Sequence, residues 1–144
     1  MATGFFGPLI AYNASVPELW GPMLKVGFSD SLDPNRRHVV AKDITASVDT
    51  GAETCAIDDS FAKSLRLSPD PNDAIKTHTA TGVAILPIYR GQVIVDSKTI
   101  QLRFVAAHFE GAVHKITLGM DALRFFDLHL SRQTGTVSLR FLPE

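Results

Sequence analysis

One carboxylate in this chain stands apart from the other acids by its setting. Asp49 lies in Val48-Asp49-Thr50-Gly51-Ala52, where an apolar, β-branched run (Val39, Val40, Ile44, Val48) gives way to a glycine. Such a run reads as a strand, and Gly51 lets the chain turn tightly where a side chain would clash. A carboxylate delivered to a tight turn at a strand end is held rigidly and can face a cleft, poised for acid–base work. The tripeptide alone is a weak signal. Asp-Thr-Gly arises by chance in roughly 3% of chains this long, and all three residues are common in ordinary turns. Among 15 acidic residues, only Asp49 has a context that asks for more than a solvated face or a helix cap.

Other chemistries lack their residues. Five histidines (His38, His78, His108, His114, His129) are scattered, with no i,i+4 pair or carboxylate spacing that builds a metal site. His78 alone lies near a segment of interest and could tune its pH response. No serine sits in a Gly-x-Ser-x-Gly elbow, and no glycine-rich phosphate loop or paired cysteines occur, so neither a cofactor nor a metal is expected. Cys55 is the single cysteine; it rules out an internal disulfide framework, suits a reducing compartment and reads as a small buried hydrophobe.

The elements that must position Asp49 follow from composition and period. With 144 residues the chain is one domain by length, and 45% hydrophobic against 20% charged residues supports a packed core. A net charge of −1 provides no field to attract nucleic acid or anionic lipid. No run of 18 apolar residues occurs, so no membrane span is expected. The apolar stretch from Phe5 to Ala11 has no preceding Lys or Arg and makes a poor signal peptide, which leaves a cytoplasmic location as the expectation. Pro8, Pro17, Pro22, Gly4, Gly7 and Gly21 punctuate the first segment, so residues 1–21 read as an extended arm and 22–144 as the domain.

Periodicity over the domain is mostly two, the spacing of strands. Leu24, Val26 and Phe28 alternate, and 29–37 read as a polar loop. Val40, Ile44, Ala46 and Val48 share one face. Asp59 can cap a short helix with Phe61, Ala62 and Leu65 inward, ended by Pro69 and Pro71. Ile75, Thr77 and Thr79 alternate into a turn, and Val83, Ile85, Pro87 and Tyr89 alternate out of it. Residues 92–95 and 99–107 pair around Asp96-Ser97-Lys98. The fold class is all-β, a small closed β-barrel with one or two short helices.

The order of these pieces resembles the retropepsin-like aspartic proteases, including their bacterial single-domain relatives. After Asp49-Thr50-Gly51-Ala52 come a short strand at Cys55-Ala56-Ile57 and a helical turn or two ending in Leu65-Arg66-Leu67. Thr79-Ala80-Thr81-Gly82 looks like the tip of the family's flap. Ile116-Thr117-Leu118-Gly119-Met120-Asp121-Ala122-Leu123 looks like its second signature. Asp127-Leu128-His129-Leu130 and Thr134-Gly135-Thr136-Val137-Ser138-Leu139 match its last hairpin. The resemblance covers roughly residues 22–142.

What the resemblance implies is an aspartic endopeptidase in which Asp49 is catalytic and Thr50, Gly51 and Ala52 form the active-site loop. Ala80, Thr81 and Gly82 would cover the substrate, and Leu118, Gly119 and Asp121 would belong to the second-signature loop. One Asp-Thr-Gly in so short a chain implies a homodimer acting on a peptide or protein. Two departures stand out. Met120 occupies the place of the arginine that usually follows the signature glycine, so its tie to the carboxylate at Glu53 is lost unless Arg124 substitutes. The N-terminal arm has no counterpart in compact retroviral enzymes. Two rival readings follow from these: a non-catalytic dimerisation or peptide-binding module on the same fold, and a precursor held inactive by its arm.

Overall fold

The computed structural model describes residues 23–31, 38–95, 98–109, 111–131 and 136–142. The N-terminal arm read from the sequence, most of the polar loop after Ser31 and the tips of two hairpins lie outside the described residues. Along the described chain run β1 (Met23–Ser29), β2 (Val39–Val48), β3 (Cys55–Asp58), α1 (Asp59–Ser64), β4 (Ala74–Thr79) and β5 (Gly82–Val95). After these come β6 (Lys98–Ala107), β7 (Ile116–Leu118), α2 (Met120–Leu123), β8 (Phe126–Ser131) and β9 (Thr136–Phe141). Among the described residues no helix is long and apolar enough to cross a membrane.

The sheet order is β1-β2-β7-β3-β6-β5-β4, and β1 also pairs with β5. That extra pairing, Gly27 to Ile94 through Ser29 to Gln92, closes six strands into a barrel and leaves β4 outside the ring. The barrel is filled from alternate strand positions, as the two-residue period requires. Leu24, Val26 and Phe28 meet Ile44, Ala46, Ile57, Phe104, Ile116 and Leu118 in one buried cluster. Phe28 and Phe104 pack edge to face at 5.5 Å between ring centroids. β8 and β9 form a separate hairpin, with Phe126 and Phe141 opposed and buried.

Local details depart from the sequence reading in four places. The helix cap is Asp58, not Asp59: Asp58 Oδ2 accepts the Phe61 N–H at 3.1 Å, and Oδ1 accepts the Phe109 N–H at 3.2 Å. Asp59 is the first helical residue and pairs instead with Lys63 Nζ at 2.9 Å and the Tyr89 hydroxyl at 2.9 Å. Burial and that bond to Asp59 push the Tyr89 hydroxyl up to about 12.

The helix also ends earlier than the prolines at 69 and 71. Arg66 turns left-handed (φ 59°), its N–H bonds the Lys63 carbonyl and the Leu67 N–H bonds the Ala62 carbonyl. This crossed pair of bonds is a Schellman stop, and it carries Leu67 back onto the core.

On β2 the pairing with β1 slips by one residue twice, between Val26 and Phe28 and between Phe28 and Ser29, with Asp43 left-handed at φ 54°. Ala41 therefore stands opposite Phe28, since a bulge moves the residues beyond it to the other face, and Val40 and Ala41 both pack against the core. Finally, Ser29 belongs to β1 rather than to the loop. It is buried, and its Oγ accepts the N–H groups of Ser31 and His38, each at 3.2 Å.

Arg66 gives a direct test of the helix stop. A non-glycine residue held left-handed is strained, and glycine is the usual occupant of this position. Arg66→Gly is expected to raise stability by about 0.5 to 1 kcal/mol, read as a higher melting temperature; an unchanged or lower one would contradict the strain.

Candidate active site

The site is a seam between two loops that parallel pairing brings together. β2 and β7 run side by side, with Ala46, Ser47 and Val48 opposite Ile116, Thr117 and Leu118. The ladder continues past the strand ends. Asp49 N–H donates to the Leu118 carbonyl at 3.0 Å, Met120 N–H to the Ala52 carbonyl at 2.8 Å and Asp121 N–H to the Glu53 carbonyl at 3.1 Å. Three main-chain bonds thus join the Asp49 loop to the loop around Gly119.

Within its loop Asp49 is held at both ends. Its carbonyl accepts the Ala52 N–H at 3.3 Å, and its Oδ1 accepts the Gly51 N–H at 2.9 Å. The side chain is nevertheless exposed, as are Thr50 and Gly51, while Ala52 is half-buried. An exposed carboxylate oriented by a main-chain donor is available to a substrate from outside the chain. Gly119 is required by contact. A Cβ there would lie 2.5 Å from the Thr54 carbonyl oxygen and 2.8 Å from that of Ala52. Both obstacles are backbone and cannot swing aside. Gly119 also begins α2, with Leu118 buried before it and Asp121 half-buried after it.

Cys55 supports this seam from below. It is fully buried, and burial pushes its thiol up to about 11, outweighing the main-chain bonds of Gly119 and Ala122 that pull the other way. A neutral, enclosed thiol is no nucleophile at neutral pH. Among the described residues no cluster of His, Cys, Asp and Glu could hold a metal ion.

The hairpin of β4 and β5 carries the remaining site candidates. Thr79 pairs with Gly82, so Ala80 and Thr81 form a two-residue turn. Thr79 Oγ1 donates to the Gly82 carbonyl at 3.1 Å and accepts the Thr81 N–H at 3.3 Å. Gly82 has φ 138°, a backbone state that side chains rarely adopt. Ile75, Thr77, Ala84 and Leu86 share one half-buried face, whereas His78, Val83 and Ile85 are exposed on the other.

Arg124 does not replace the missing arginine tie. It lies over the Phe125 ring at 4.9 Å, and among the described residues Glu53 is exposed and forms no ion pair. Met120 is 43% exposed beside the seam. The sequence reading left Asp70 and Asp73 as solvated acids, yet both hold arginines at the root of the hairpin: Asp73 bonds Arg90 and Arg103, and Asp70 bonds Arg90. The turn-forming Asp70-Pro71-Asn72-Asp73 was a visible signal of a fixed corner, but not of its partners.

A six-stranded barrel with an Asp-Thr-Gly loop sewn to a glycine-closed second loop defines an aspartyl protease fold. Residues 38–125 match the family described as "gag-polyprotein putative aspartyl protease", and the chain belongs to that family. No curated protein matches it in sequence. The chain is similar in structure to a retropepsin-like aspartic protease from Rickettsia conorii. That likeness has a TM-score of 0.60 at 18% identity, over 96% of this chain and 91% of that one. It is also similar to the simian foamy virus protease, with a TM-score of 0.51 at 14% identity, over 72% of this chain and 92% of that one. At these identities the two structures establish the fold.

Two outcomes test the seam. Gly119→Ala is expected to cost about 2 to 3 kcal/mol by overpacking; an unchanged melting temperature would mean the loops are not so tightly joined. Cys55 should resist alkylation in the native protein at neutral pH and react only on unfolding. Its folded pKa lies above the ordinary value of 9.0, so its contribution to stability is intact below pH 9 and is lost as pH rises toward 11. Rapid labelling of the folded chain would contradict the burial.

Proposed function

We propose that this chain is an aspartic endopeptidase whose active unit is a homodimer, with one Asp49 from each copy forming the catalytic pair. The observation that carries the proposal is the Asp49 carboxylate itself, exposed at the end of β2 and oriented by the Gly51 N–H at 2.9 Å. Carboxylate-driven peptide hydrolysis needs two such groups. One takes a proton from water while the other donates a proton to the carbonyl oxygen. Carboxylates about 3 Å apart cannot both ionise, so the pair retains a proton between them. The chain has one Asp-Thr-Gly, so the second carboxylate comes from a second copy across a two-fold axis.

In this reading the other site residues have stated tasks. Thr50, exposed beside Asp49, bonds across the axis and locks the two loops together. Gly51 and Ala52 give the substrate access to main chain. The hairpin turn at Ala80, Thr81 and Gly82 closes over an extended peptide, which adds as a strand beneath it. Leu118, Gly119 and Asp121 hold the Asp49 loop from behind, through the seam described above. The apolar side chain of Met120, where an ion pair is absent, makes dimer contact depend on packing.

Asp49→Asn keeps the shape of the side chain but cannot shuttle the proton. It is expected to lower peptide hydrolysis by at least about a thousandfold, with fold and dimer unchanged by sedimentation and circular dichroism. Undiminished turnover would end this reading. Because the pair needs one proton, the rate should be bell-shaped in pH with its optimum on the acid side of neutral. A rate still climbing above about pH 8 would indicate a different catalyst.

A further inference from the structure

Among the described residues, a dense cluster of charge outside the Asp49 site lies at the root of the β4–β5 hairpin. Arg90 on β5 and Arg103 on β6 stand directly opposite each other in the ladder. Like charges so placed repel, yet both guanidinium groups turn onto one carboxylate. Asp73 accepts from Arg103 Nε at 3.1 Å, from Arg103 Nη2 at 2.9 Å and from Arg90 Nη2 at 2.8 Å. Arg90 Nε donates to Asp70 Oδ2 at 2.6 Å.

The corner between these two acids is itself stiff. Asp70 Oδ1 accepts the Asn72 N–H at 2.8 Å, and the Asp70 N–H bonds the Ile88 carbonyl at 2.7 Å. The bond from Asn72, then that from Arg90, holds the Asp70 carboxyl below its usual range. Pro69 and Pro71 flank it and fix their own φ angles.

The position of Asp73 gives this cluster its meaning. It immediately precedes β4, and among the described residues β4 has β5 as its only ladder partner. The far end of β4 is the exposed turn at Ala80 and Thr81. A strand outside the barrel, held by one ladder, swings about whatever fixes its root. Here the root is bound to two barrel strands at once through a single carboxylate. A lone exposed ion pair would hold little, but a forked arginine shared within a network is the arrangement that does.

We propose that Asp73 is the positioning residue of this hairpin. Clamped by Arg103 and Arg90, it fixes the root of β4 so that the tip at Ala80, Thr81 and Gly82 returns to one place. Its consequence for catalysis rests on the protease reading above; its control of the hairpin does not.

Hydrogen exchange on the full chain tests the clamp through Asp73→Asn, Arg103→Gln and the double variant. Asp73→Asn should speed exchange of amides in residues 75–86 by about tenfold or more, the scale of one lost charge-assisted bond. Amides of β3 and β6 should keep their rates. Arg103→Gln should give the same pattern more weakly, because the Arg90–Asp73 bond remains, and the double variant should add little to Asp73→Asn, since both remove the Asp73–Arg103 fork.

In peptide hydrolysis KM should rise with kcat within about twofold, by the factor by which the closed fraction of the hairpin falls. Arg103→Lys, which keeps the charge and loses the fork, should recover only part of the change. Unchanged exchange in residues 75–86 would overturn the proposal. So would faster exchange spread evenly over the barrel with a lower melting temperature, which marks a merely structural role. If no variant and no wild-type protein cleaves peptide, the protease reading falls, and the exchange pattern alone still decides the clamp.

Discussion

The structure depends on two loops meeting at main-chain distance. Asp49 to Leu118, Met120 to Ala52 and Asp121 to Glu53 are bonds of 2.8 to 3.1 Å between segments about 70 residues apart in sequence. They form only because Gly119 has no Cβ, which would meet the Thr54 carbonyl at 2.5 Å. Parallel pairing of β2 with β7 requires a long connection, and β3 to β6 supply it. The body of the barrel is thus also the crossover that lets one carboxylate be held from two sides.

Rigidity is distributed unevenly around that seam. The barrel interior is apolar, and among the described residues two of its buried polar side chains tie loops down: Ser29 accepts two N–H groups and Asp58 caps α1 while reaching Phe109. These groups fix loops to the barrel without leaving an orphaned charge. The β4–β5 hairpin is built differently. Its exposed face includes Val83 and Ile85, 58% and 65% exposed, and its turn is held by Thr79. On the protease reading, a carboxylate held from two sides and a hairpin bonded at its root suit a reaction that must admit a substrate and then enclose it.

Much of this was legible in the sequence because local chemistry demanded it. Gly82 and Gly119 stand where backbone geometry restricts the choice of residue, and the alternation of apolar residues marked the strands; Gly51, read as a turn no side chain would fit, is not left-handed, and a Cβ there would meet only the Asp49 Oδ1 at 3.3 Å. The misreadings share a different origin. Asp58 and Asp59 are adjacent and chemically alike, so only the direction of the helix decides which one caps it. Arg66 adopts a left-handed backbone because Leu67 then packs on the core, a tertiary gain that a propensity for glycine does not reveal. The two slips in the β1–β2 pairing break the regular alternation, so that Ala41 as well as Val40 packs against the core. Asp73 was illegible for a plainer reason: its partners lie 17 and 30 residues away on two strands, with no period to announce them.

The central claim is that two copies of Asp49 make one site. The most direct measurement is a crystal structure of the assembled protein, read for the distance between the two Asp49 carboxylates. The account predicts a two-fold dimer with these groups within hydrogen-bond reach, about 3 Å apart, and with the Thr50 loops bonded to each other beneath them. A dimer that holds the two carboxylates far apart, or an active protein that stays monomeric in solution, would contradict it.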